Sequence, residues 1–77
     1  MNKVRRKSIQ DVADQLTELK STLEGIQGEE EEYRDNIPEN LQNSARYEAA
    51  DEACDALSEA VDGLEDIVTS LSELAEG

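Results

Sequence analysis

Apolar residues return along the first half of the chain at steps of three and four. Ile9, Val12, Leu16, Leu19, Leu23 and Ile26 keep that rhythm, and Tyr33 and Ile37 resume it after one interruption at Glu30. The spacing puts the series on one stripe of an α-helix. It fits a heptad with Ile9, Leu16, Leu23, Glu30 and Ile37 at a, and Val12, Leu19, Ile26 and Tyr33 at d. No alternation of period two competes with it. A second arm repeats the pattern with Tyr47, Ala50, Cys54, Leu57, Val61, Leu64, Val68, Leu71 and Ala75. Its g positions, Ala53, Ala60, Ile67 and Leu74, are apolar too, so its stripe has the width of a bundle helix.

The arms meet at "YRDNIPENLQNSARY", residues 33–47. Pro38 has no N–H and disfavours helix at Ile37. Asn36, Asn40, Asn43 and Ser44 are turn and cap formers, and Ser44 or Asn43 suits the N-cap of the second helix. The pattern predicts an all-α fold, an antiparallel coiled-coil-like hairpin forming one domain. Helix one is expected over about 4–35, the turn over about 36–43 and helix two over about 44–76. If Tyr33 faces Tyr47, their numbers add to 80, and every further layer falls at that sum, from Ile26 with Cys54 to Ile9 with Leu71. Glu30 would then face Ala50 and reach Arg34 one turn on. Ile37 and Leu41 are expected either to plug the hairpin end or to present a binding loop. Gly25 and Gly28 make "GIQGEEEE" a soft stretch where a kink is expected to be easy, each glycine costing roughly 1 kcal/mol against Ala.

A lone hairpin leaves Ile67 and Leu74 wet, forfeiting roughly 1.5–3 kcal/mol each. Self-association through them into a four-helix bundle, as a homodimer, is the expectation, a foreign partner the alternative.

Charge sharpens the picture. Twenty acids against seven bases give a formal net charge of −13. A polyanion is repelled by nucleic acid and by anionic membranes, so neither is an expected direct partner, and a basic protein is favoured. Lys3, Arg5, Arg6 and Lys7 cluster at the start, and no base follows Arg46. In the second arm Glu48, Glu52, Asp55, Glu59, Asp62 and Asp66 fall at alternating b and f positions. They form an outer ridge with about 5 Å between charges along the axis. This ridge is either a solvated surface or an anionic rod that fits a basic groove, resembling the charge array of a nucleic-acid backbone.

Catalytic chemistry is not expected. There is no histidine and no cysteine pair, and no glycine-rich phosphate loop. Consecutive glutamates at 29–32 diverge on a helix and lack the bent loop of a calcium site, so no metal or other cofactor is expected. Cys54, at an a position, reads as a buried inert thiol. No apolar run approaches a membrane span, and the chain is expected to be cytoplasmic.

The stretch 34–74 resembles small uncharacterised acidic helical proteins of Gram-positive bacteria, their phages and mobile elements. Pro38 to Gln42, Ser44, Arg46, Tyr47, Glu48 and Ala50 carry the resemblance as a "PENLQ-x-S-x-R-Y-E-x-A" turn. It implies a mobile-element context, in which short acidic proteins often inhibit host defence enzymes. The expected function is therefore a protein-binding inhibitor of a defence or nucleic-acid-handling protein, acting through the ridge. Asn40, Arg46 and Tyr47 form a second candidate site at the turn. The alternative is a structural coiled coil whose acids only confer solubility.

Overall fold

A computed structural model describes residues 1–41 and 44–77. Two long helices, α1 (Lys3–Asp35) and α2 (Ala45–Glu76), pack antiparallel as an extended hairpin. The Cα envelope is 59 × 14 × 12 Å. Among the described residues, no helix is long and apolar enough to cross a membrane.

The ends follow from local chemistry. The Asn2 side chain caps α1, accepting from the Arg5 N–H at 2.7 Å. Pro38 forbids continuation, and α1 closes at Asn36, whose N–H bonds the Glu32 carbonyl at 3.0 Å. A single 3₁₀ turn, Glu39–Leu41, follows. Ser44 then caps α2 by accepting from the Tyr47 N–H at 3.3 Å. Asn43, the other expected cap, and Gln42 of the turn signature lie outside the described residues. At the far, open end α2 closes on Gly77, whose φ of +41° is cheap only for glycine. The Arg6 guanidinium lies against it. The basic start of α1 and the acidic end of α2 each oppose their own helix dipole, and the hairpin sets them side by side so that each offsets the other.

The seam differs from a plain a/d pairing. On α1 the buried and half-buried positions are chiefly a and e: Ile9, Leu16, Leu23 and Glu30 at a, with Arg6, Ala13, Lys20, Gln27 and Arg34 at e, joined by Gln10 and Glu31 at b. The d stripe faces out, with Val12 48%, Leu19 60%, Ile26 47% and Tyr33 46% exposed. The expected seating of these four in the seam is thereby corrected. On α2 the inward face holds the a and d residues from Tyr47 to Ala75, with Asp51, Ser58 and Ser72 at e. Two causes turn α1. Small or compact side chains, Ala13, Ala50 and Cys54, are buried where the helices meet. Lys20 and Arg34 lay their stems across the seam to reach acids at e on α2.

The axial register nevertheless agrees with the sum of 80. Lys20–Glu65 and Arg34–Asp51 are the cross-helix ion pairs, and both add to 85. That is the e-to-e offset of such a pairing, because e is one past d and four past a. Arg34 does not turn back to Glu30. It bonds Asp51 at 3.0 Å and Asp35 at 3.1 Å.

Ile37 is buried at 3% exposure beside the hairpin end, where the plug reading puts it, while Leu41 is 44% exposed. Helix α1 runs unbroken through Gly25 and Gly28.

Two stability predictions follow from these positions. Ile37→Ala should cost about 2–3 kcal/mol in chemical denaturation, and Leu41→Ala less than about 0.5 kcal/mol. A Cβ added at Gly25 or Gly28 meets nothing within 4 Å. Each change to Ala should therefore stabilise by about 0.5–1 kcal/mol, read in the same titration.

Candidate functional site

The ridge is built by α2 alone. Successive b and f positions climb one outer strip of the helix, and Glu48, Glu52, Asp55, Glu59, Asp62 and Asp66 are all exposed. Among the described residues, none of the six takes part in an ion pair within the chain. Their charge is uncompensated and turned to solvent.

The α2 acids that are neutralised, Asp51 and Glu65, sit beside the ridge at e. Lys20 lies between Glu65 and Glu24, the latter at 3.6 Å. The hydrogen bond to Glu65 holds the Lys20 ammonium above its usual pKa. Arg34 is likewise raised, chiefly by its bond to Asp35 and then by Asp51. An open groove runs between the helices on this side, bordered by Lys20, Glu24, Glu31, Asp62 and Glu65. The function of Lys20 and Arg34 as bridges was not foreseen in the heptad reading. The signal was there: both stand at e, 14 residues apart, opposite acids with the same separation.

The turn residues do not converge. Arg46 lies over the Tyr33 ring, 5.6 Å from its centroid, on the opposite side from the groove. Asn40 is exposed within the 3₁₀ turn, and Tyr47 is half-buried. Among the described residues, no group of three acidic or thiol side chains is arranged to hold a metal. Cys54 is buried, and burial pushes its thiol up against the lowering effect of Arg34.

Ile67 and Leu74 are 49% and 48% exposed at g on α2. In an antiparallel pair, d of one helix and g of the other border the same side. They therefore continue the outward stripe of Val12, Leu19, Ile26 and Tyr33 into one apolar face. At 100° per residue the centre of the b/f ridge lies about 120° around α2 from the g stripe. Ridge and apolar face are separate surfaces.

The ridge carries like charges at i, i+4 spacing, each pair destabilising by a few tenths of a kcal/mol. The exposed bridges, screened by solvent, return little. Salt should therefore raise the melting temperature, measured by circular dichroism between about 0.02 M and 0.5 M sodium chloride. A fall would mean that the Lys20 and Arg34 bridges outweigh the ridge.

Compared with protein-family models, with curated proteins and with solved structures, the chain gives no match.

Proposed function

We propose that this chain is a non-enzymatic binding module that presents its acidic ridge to a basic protein. The observation that carries this is the ridge itself: six exposed carboxylates in one line on α2, none of them ion-paired among the described residues. Helical carboxylates about 5 Å apart axially imitate a polyanion in sign and in linear arrangement. A nucleic-acid-handling enzyme offers the matching groove, lined with Lys and Arg. With the mobile-element context that the turn signature implies, the reading becomes an inhibitor of a host defence or nucleic-acid-handling protein, occupying the cleft that nucleic acid would use.

The hairpin acts as a homodimer in this reading, two copies forming a four-helix bundle through the side that bears Ile67 and Leu74. That apolar side also supports the second reading, a structural coiled coil whose contacts are apolar and whose acids keep it in solution.

The readings diverge under salt and charge reversal. Wild type and the Asp55→Lys, Glu59→Lys, Asp62→Lys, Asp66→Lys variant would be immobilised and exposed to lysate of a Gram-positive host. Captured proteins would be eluted in salt steps and identified by mass spectrometry, with circular dichroism as the folding control. The expected result is a basic nucleic-acid-binding protein that leaves with rising salt, is displaced by its own nucleic acid, and is not held by the variant. Capture that ignores salt and survives the reversal would sink the ridge and leave the apolar side or Asn40, Arg46 and Tyr47 as the contact.

A further inference from the structure

We infer that the apolar face of Val12, Leu19, Ile26, Tyr33, Ile67 and Leu74 is covered by a second copy of this chain packed antiparallel, its turn end against the open end of the first. This geometry rests on the self-association proposed above and goes beyond it by naming the face and the direction.

Size comes first. From Val12 to Tyr33 the face is about 32 Å long at 1.5 Å per residue, and two helices make it about 20 Å wide. Each copy would bury about 640 Å², roughly 1,300 Å² in total, which exceeds the ~1,000 Å² that marks a specific interface. All six residues are about half exposed, so the hairpin alone leaves this area wet.

Charge then selects the direction. Residues 29–52, the turn end, hold nine acids and two bases, a net of −7. The open end, residues 1–14 with 66–77, holds five acids and four bases, a net of −1. Two face-to-face hairpins related by a two-fold axis along their length would set −7 against −7. A two-fold axis across their length sets −7 against −1 at both ends. Like-charge repulsion disfavours the first and spares the second. In the second arrangement each helix lies on its own copy, running the other way. Arg5, the d position before Val12, comes level with Tyr33 of the other copy and near its Glu29. Taken from Arg5 to Tyr33, the d stripe is centred on Leu19, which puts the axis there and sets Val12 level with Ile26 of the other copy.

The test uses the full chain with Cys54→Ser as background. Light scattering of the wild type up to about 1 mM should give twice the chain mass, and Leu19→Lys should raise the dimer Kd at least about tenfold. Leu19→Cys should form a disulfide dimer on mild oxidation. Val12→Cys and Ile26→Cys should each do so poorly alone but well when mixed. Spin labels at Lys7→Cys, outside the face, should stand about 36 Å apart along the axis, from 12 residues on either side of Leu19. A label distance below about 25 Å, with no Leu19→Cys crosslink, would overturn the direction and keep the dimer. A dimer indifferent to Leu19→Lys would overturn the face. A wild type that stays monomeric throughout would overturn the dimer and this geometry together, while the ridge reading would stand or fall by its own binding assay.

Discussion

The structure turns on how Lys20 and Arg34 reach across the hairpin. Both stand at e on α1, and both meet acids at e on α2. Exposed ion pairs of this kind contribute little net stability. Their weight is geometric. Long stems laid over the seam bring the e side of α1 inward, and the buried Ala13 lets the backbones approach there. Rotating a helix by one heptad position moves a whole stripe, so the same contacts that close one side open the other. Four large d side chains are left half exposed as a result.

That rotation divides the molecule into unlike surfaces. One side is a polar groove with neutralised acids, one is an apolar face, and the outer strip of α2 is bare negative charge. Because no base follows Arg46 in the first turn of α2, nothing along the ridge beyond that turn can be quenched from within the helix. Because the apolar face lies about 120° around from it, covering one leaves the other free. Self-association and partner binding are thus compatible, and a dimer would display two ridges.

Much of the architecture was legible in the sequence because long helices with heptad spacing report their own period. The two arms, the break at Pro38, the Ser44 cap and the axial register all follow from residue types at fixed intervals. Rotation about the helix axis was not legible in the same way. An a/d template assigns Val12, Leu19, Ile26 and Tyr33 to the seam because they are apolar, yet the hairpin seats Lys20, Gln27 and Arg34 there instead. An a/d template treats every d position as seam, whereas one hairpin with its e side turned inward leaves the d stripe of α1 half exposed. The ridge was legible as a row of charges, since b and f positions face outward under either rotation. Its lack of internal partners needed coordinates. The difference between Ile37, 3% exposed, and Leu41, 44% exposed in the 3₁₀ turn, was not legible either, since both are large apolar residues beside Pro38.

The elongated shape has a practical consequence for the solution behaviour of the chain. Its radius of gyration is 17.4 Å. A compact globule of the same length would have about 11.5 Å, and one of 17.4 Å would contain roughly 230 residues. On a sizing column calibrated with globular standards, a single rod would therefore elute earlier than a compact protein of its own mass. Tumbling would be anisotropic as well, slow end over end and fast about the long axis, so amide relaxation would depend on the tilt of each N–H vector to the helices.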